Sequence, residues 1–280
     1  KNIFDPIYLL NPGVVMNSIP NVHVENLKPL PPSNAIVDRC TECGFCEAHC
    51  PSRDLTLTPR QRIVARREIS RLTATRENPQ RLTVFIKNYD YLGEQTCAAD
   101  GMCAAGCPID INTGEHTKEL RHLNQSAIAR HTAQVVARHF GPVAAAARLG
   151  LKFFDHAHQL LGTRSLQRIS AGIRKLSQGR VPSWDPFFPG SAGQVPRPNP
   201  QADGSARVVY FPSCVSRTMG PSRGDPQAES LPTVTMRLLK KAGYSVIFPD
   251  NMQRLCCGTP FESKGFSEQA DVKLKELEIA

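Results

Sequence analysis

Between positions 40 and 50 the chain places four cysteines in eleven residues, Cys40-Thr-Glu-Cys43-Gly-Phe-Cys46-Glu-Ala-His-Cys50, and then Pro51. Three thiols at every third position can wrap a loop around one inorganic core, with the loop's amides aimed at its sulfides. A zinc knuckle is the competing occupant. Zinc sites favour paired C-x2-C units over four cysteines in so short a run. A second run follows 46 residues later: Cys97-Ala-Ala-Asp100-Gly-Met-Cys103-Ala-Ala-Gly-Cys107-Pro108. It repeats the grammar of the first with one change, Asp100 standing where a cysteine is expected. The chain has 10 cysteines and no visible signal peptide. That combination favours a metal protein in a reducing compartment over a disulfide framework.

The first run resembles that of bacterial-type ferredoxins, in which the fourth cysteine serves a second cluster. The resemblance implies crossed ligation. Cys40, Cys43, Cys46 and Cys107 would hold one [4Fe–4S] cluster. Cys50, Cys97 and Cys103 would hold the other, with Asp100 as a candidate carboxylate ligand. Three thiolates suit either a [3Fe–4S] cluster or a [4Fe–4S] cluster whose fourth iron is held by oxygen. Asp100 can equally be a solvated turn residue before Gly101. His49, inside the first run, is either a tuning residue or a surface histidine.

The insert between the runs reads as helical. Thr58 can cap a helix opened by Pro59 and running 60–72. Leu82, Phe85, Ile86, Tyr89 and Leu92 then share one face of a second helix. This pattern resembles the α-helical ferredoxin domain of succinate dehydrogenase and fumarate reductase iron–sulfur subunits, whose last clusters face a quinone.

The net charge of +9 is concentrated in the middle of the chain. Residues 113–180 hold eleven Lys/Arg against three Asp/Glu, and six of the eight histidines. Asn112 is the expected cap of this segment, with Glu115 at the capping-box position. Helical periodicity continues to Leu176, interrupted near Gly141-Pro142 and Gly162. Val143–Leu161 mixes Leu and Phe with Arg and Lys, so the helices either dock on an anionic membrane surface or form a solvated basic bundle. No run of 18 apolar residues exists, and no transmembrane helix is expected. There is no C-x2-C-H for a c-type haem, and no motif for nucleic acid. Residues 14–38 and 181–206 are proline-rich linkers. Trp184 is expected to pin the second of them to a neighbour.

Two further phrases resemble known modules. Phe4-Asp5-Pro6…Leu9-Leu10-Asn11-Pro12-Gly13 is similar to the closing segment of FAD-linked oxidases of the vanillyl-alcohol-oxidase type. Downstream, a strand 207–211, Cys214, a helix 231–242, a strand 244–248 and Cys256-Cys257-Gly258 form a small α/β layer. That layer resembles the "CCG" domain found in iron–sulfur subunits of glycolate oxidase and glycerol-3-phosphate dehydrogenase and in heterodisulfide reductase. In that pattern Cys214, Cys256 and Cys257 match the first three cluster positions, and the later C-x2-C lies outside the sequence.

Ser52–Arg60, Thr96–Cys103 and Gly258–Gly265 are worded like FAD-binding and Fe–S-binding D-2-hydroxy acid dehydrogenases, mostly D-lactate dehydrogenases. The resemblance implies a C-terminal slice of such an oxidoreductase, and a mainly α fold. Its parts are an oxidase tail (1–13), a linker (14–38), an α-helical ferredoxin domain (39–112), a basic helical segment (113–180), a second linker (181–206) and an incomplete CCG domain (207–280). In the family a D-2-hydroxy acid gives a hydride to FAD. The clusters then pass electrons singly to a quinone, cytochrome or electron-transfer flavoprotein. No catalytic residue is expected in this chain, because FAD and substrate would sit in the preceding domain. The expected place is the cytoplasm, with the inner face of its membrane as a candidate contact. Two alternatives stand beside this: a stand-alone iron–sulfur subunit of a glycolate oxidase or glycerol-3-phosphate dehydrogenase complex, and a zinc-stabilised binding module.

Overall fold

The computed structural model describes residues 1–280 except 11–12, 14–15, 18, 22–23, 26–29, 180, 196–205 and 227. Parts of the oxidase-like phrase and of both linkers therefore lie outside the described residues. The chain forms two compact units, Lys1–Leu120 and Arg121–Ala280. Helices dominate both.

In the first unit, helix α1 spans Pro59–Thr75. Thr58 caps it with a reciprocal box: Gln61 N donates to Thr58 Oγ1 at 3.3 Å and Thr58 N to Gln61 Oε1 at 2.9 Å. Pro59 opens it, where its missing N–H has no helical partner to lose. α2 spans Pro79–Tyr89 and runs into a π turn, Asp90–Gln95. Leu82, Phe85 and Tyr89 pack with Ile69 and Leu120. Ile86, expected on that face, is 52% exposed. α2 buries only the narrow i, i+3, i+7 stripe, and Ile86 lies on its shoulder. α3 is the short helix Met102–Ala105 and α4 spans Thr113–Leu123. Asn112 Oδ1 accepts the Gly114 amide at 2.9 Å. Glu115 meets the Asn112 side-chain amide instead of its backbone N–H, so the expected capping box is only half formed. A second core patch joins Val37, Ile63 and Ile111 against Cys40 and Cys107.

At the N-terminus the Asp5 carboxylate accepts the Leu9 and Leu10 amides at 2.8 and 3.0 Å and pairs with Lys1. The phrase is a turn closed by its own aspartate. Phe4, Ile7, Leu9 and Leu10 stay exposed.

In the second unit, α5 (Ala127–Arg138) is followed by α6 (Phe140–Leu176). The break expected near Gly141-Pro142 falls at His139, at φ −111° and ψ 36°. Pro142 sits in the first turn of α6, where amides lack helical partners anyway. Gly162, at φ 71° and ψ 167°, kinks α6 where the sequence predicts a break. Strand β1 (Pro189–Ser191) pairs antiparallel with β3 (Met219–Ser222); neither is foreseen from the sequence. β2 (Arg207–Val209) pairs parallel with β4 (Ser245–Ile247) in the register Val208↔Val246. α8 (Leu231–Lys241) lies between these two strands in sequence. The strands are shorter than expected because only three residue pairs align. α7 (Cys214–Thr218), α9 (Thr259–Glu262) and α10 (Ser267–Ile279) complete the unit.

The core of this unit joins Ala133 and Ala137 of α5 to Cys256, Phe261 and Ala270. The basic segment therefore does not stand apart. Its first residues pack with Ile69 and Tyr89 in the first unit through Leu120, and α5 supplies part of the core of the second. Trp184 is buried edge-to-face on His158, 4.6 Å between ring centres, and pins the linker to α6. Among the described residues no helix is long and apolar enough to cross a membrane.

Candidate metal centres

The two cysteine runs share one backbone pattern. In the first, Glu42 and Gly44 take left-handed conformations, φ 61° and 89°, before a 3-10 turn Phe45–His49. In the second, Ala99 and Gly101 do the same, φ 54° and 75°, before α3. Asp100 thus occupies the same loop position as Cys43. Left-handed backbone at Glu42 and Ala99 is strained for L-residues, which marks the loops as shaped for a purpose.

Cys40, Cys43, Cys46 and Cys107 line one cleft, walled by Ile63, Ile111 and Pro108. Glu42 N donates to Cys40 Sγ at 3.4 Å. Burial pushes the Cys46 thiol up to about 11. A thiolate there needs a cation, and thiolate-bound iron supplies one. Four thiols, an apolar wall and an amide aimed at sulfur fit an iron–sulfur cluster. Cys107 reaches this cleft because its neighbour Gly106 lies flat on the first run. A Cβ there would meet His49 Nε2 at 2.7 Å and Phe45 O at 3.1 Å. His49 is itself exposed.

Cys50 and Cys103 are buried and Cys97 is half-buried. The exit of the first run is tied to the entry of the second: Ser52 Oγ donates to Thr96 O at 2.6 Å, and Thr56 and Thr96 hydroxyls meet at 2.7 Å. These bonds tie the residues after Cys50 to the residue before Cys97. Asp100 is exposed, and its Oδ1 accepts the Met102 amide at 3.1 Å. Among the described residues no three His, Cys, Asp or Glu converge as a single-ion site requires.

Sequence reasoning did not single out Arg62 and Arg67, both buried on α1. Arg67 donates to Glu42 at 2.9 Å and to the carbonyls of Asp38 and Cys40 at 3.0 and 2.9 Å, holding the first loop in shape. Arg62 Nη1 lies 3.6 Å from Cys50 Sγ. The only signal in the sequence is a helix unusually rich in arginine between the two runs.

At the CCG phrase, Cys256 is fully buried, Cys214 half-buried and Cys257 exposed. Cys214 starts α7, capped by Ser213. The Cys256 thiol donates to Cys214, and with Arg217 and local amides it lowers Cys214 to about 6. Cys256 is pushed up by this bond and by burial. The buried Arg217 donates to Met252 O and, at 2.6 Å, to Leu255 O, fastening the CCG loop to α7. Gly258 sits at φ 83°, and a Cβ there would lie 2.6 Å from Ala270 O, so only glycine lets α10 close on this loop. The exposed Cys257 thiol donates to Thr259 Oγ1 at 3.3 Å.

Two family descriptions match the chain: "4Fe-4S dicluster domain" over residues 36–111 and "Cysteine-rich domain" over residues 208–280. The chain is an iron–sulfur protein in which a dicluster domain precedes a cysteine-rich domain. This order of domains is the one expected from the resemblance to FAD- and Fe–S-binding D-2-hydroxy acid dehydrogenases. A D-2-hydroxyglutarate dehydrogenase of Haemophilus influenzae is 26% identical over 234 residues, covering 65% of this chain and 23% of that protein. The chain therefore spans about a quarter of the length of the curated relative it matches. No solved structure matches it.

Proposed function

We propose that this chain is the electron relay of an FAD-dependent D-2-hydroxy acid dehydrogenase, with D-lactate as the expected substrate of the whole enzyme. The observation that carries the reading is the cleft shared by Cys40, Cys43, Cys46 and Cys107, mirrored by the loop of the second run. Cys40, Cys43, Cys46 and Cys107 would hold a [4Fe–4S] cluster; Cys50, Cys97 and Cys103 would hold the second. Such clusters take up and release one electron at a time, which splits the pair a reduced flavin delivers. The residues of the chain prepare the setting: Ile63 and Ile111 exclude water, Glu42 N donates to a ligand sulfur, and Arg67 fixes the loop. The donor is a flavin domain and the acceptor a quinone, cytochrome or electron-transfer flavoprotein.

For the second cluster we favour [3Fe–4S], because Asp100 is engaged with the Met102 amide and exposed. Cys214 and Cys256, with Cys257, are proposed as the beginning of a third cluster site. Anaerobic reconstitution tests these together. Broad brown absorption and an oxidised-state EPR signal of a [3Fe–4S] centre are expected, and Cys256→Ala should lower the iron content. Zinc without that absorption overturns the relay. Activity of the full reading frame on D-lactate and longer D-2-hydroxy acids tests the substrate.

A second reading concerns α6. Leu149, Phe153 and Leu160 are 70%, 68% and 85% exposed and share one helical face. Arg148, Lys152, Arg164, Arg168, Arg174 and Lys175 accompany them, against Asp155 alone, which Arg223 already pairs at 2.9 Å. This apolar stripe with excess positive charge suits peripheral contact with an anionic lipid surface. Salt-sensitive sedimentation with phosphatidylglycerol vesicles, reduced in Phe153→Asp, is expected; binding that salt and the substitution leave unchanged removes this reading.

A further inference from the structure

Four of the five arginines of α1 divide by partner. Arg60 and Arg67, seven residues apart, meet carboxylates of the first run: Arg60 Nε donates to Glu47 at 2.8 Å and Arg67 Nη1 to Glu42 at 2.9 Å. Arg62 and Arg66, one turn apart, meet no carboxylate among the described residues. Arg66 lies over the Tyr89 ring, 5.4 Å from its centre. Arg62 is 1% exposed. Its Nε donates to Gly93 O at 2.7 Å, its Nη2 to Thr96 Oγ1 at 3.5 Å, and its Nη1 to Cys50 Sγ at 3.6 Å. A buried guanidinium without a counter-anion is costly. The anion within its reach is the Cys50 sulfur once that sulfur is a thiolate.

We infer that Arg62 is the counter-charge of the second cluster and selectively raises its reduction potential. The inference rests on the proposed role of Cys50 as a cluster ligand. Reduction of a cluster adds one electron and no proton, so its charge becomes more negative by one. A fixed cation donating to a ligand sulfur stabilises that more negative state, because charge-assisted bonds strengthen with the acceptor's charge. Glu42 offsets Arg67 on the other side, so the first cluster gains no such bias. Arg62 is a positioning residue that acts through Cys50. The two clusters are thereby set apart in potential, which gives a relay a direction.

The test is redox potentiometry followed by EPR on the whole reconstituted chain. Asp100→Cys, by changing one signal, marks which centre is the second. In Arg62→Gln the marked centre should fall by about 59 mV or more, a roughly tenfold loss in its one-electron reduction equilibrium. The other centre should not move. Arg62→Lys, which keeps the charge, should recover part of the fall. An unmoved second centre, or an equal shift of both, overturns the inference. If Arg62→Gln loses its iron, the parent chain labelled with ¹⁵N in its arginine guanidinium groups decides by pulsed EPR. A ¹⁵N coupling at the marked centre alone is expected, and coupling at neither centre, or only at the other, overturns it. A parent chain with no iron–sulfur absorption fails the proposed function itself, and does so before any substitution is made.

Discussion

The two cysteine runs follow nearly the same backbone path but sit in different electrostatic surroundings. Each has a left-handed residue two places after its first cysteine, a left-handed glycine two places further on, and a short helical turn. Around the first, arginines are paired with Glu42 and Glu47, and the cleft wall is apolar. Around the second, Arg62 and Arg66 carry no carboxylate among the described residues, and Asp100 replaces a thiol. Similar loops can thus hold similar inorganic groups while the side chains behind them set different charge. Backbone shape follows from the local grammar, whereas the field depends on which side chains a neighbouring helix delivers.

Exchanging the one differing ligand position should have the largest effect. Asp100→Cys is expected to raise bound iron from about seven to about eight atoms in the ferredoxin pair and abolish the oxidised-state EPR signal. Cys43→Asp should create such a signal from the first run. Iron analysis and EPR read both, and a [4Fe–4S] spectrum from the parent's second run would erase the difference.

Breaking the buried ion pair comes next. Arg67→Met strands the Glu42 carboxylate and frees the Asp38 and Cys40 carbonyls, and should cost about 3–5 kcal/mol in denaturant unfolding.

Arg66 also acts on His116, which is fully buried with neither ring nitrogen bonded. Burial, and then the charge of Arg66, lower it to about 4. The unfolded chain takes up this proton below about pH 6.5 and the folded chain does not, so stability is complete above that pH and declines towards pH 4, by up to ~3 kcal/mol. Unfolding measured across that range should show the slope, and His116→Leu should flatten it.

The smallest effect is expected at Thr58, which caps α1 and donates to Glu47 at 2.7 Å beside the first run. Thr58→Ala should lose ~1 kcal/mol by thermal or denaturant unfolding. A loss confined to stability, with both EPR signals intact, would place the cap in the scaffold alone.

Much of the site was legible in the sequence. The spacing of Cys40–Cys50 and Cys97–Cys107 points to iron–sulfur ligands because each loop must present thiols at fixed intervals, and that is a local property. The cap at Thr58, the break at Gly162 and the strand–helix–strand order around α8 are local too, written in turn chemistry and periodicity. Ile86 is exposed, and the break near Gly141-Pro142 settles at His139, for one reason. Periodicity names a broad face and a break, but packing chooses which shoulder is buried and which residue ends the helix.

The order of residues alone carries the cysteine spacing of the two runs, the match to a dicluster domain and the cysteine-rich region behind it. Folding settles what that order leaves open: Cys256 turns inward to Cys214 while Cys257 is exposed, and Arg62, not Arg67, is left without a carboxylate among the described residues. Ligand spacing is fixed by bonds along the chain. Charge pairing is fixed by residues that meet only after folding, and nothing in the order of Arg60, Arg62, Arg66 and Arg67 along α1 records which of them an acid will reach.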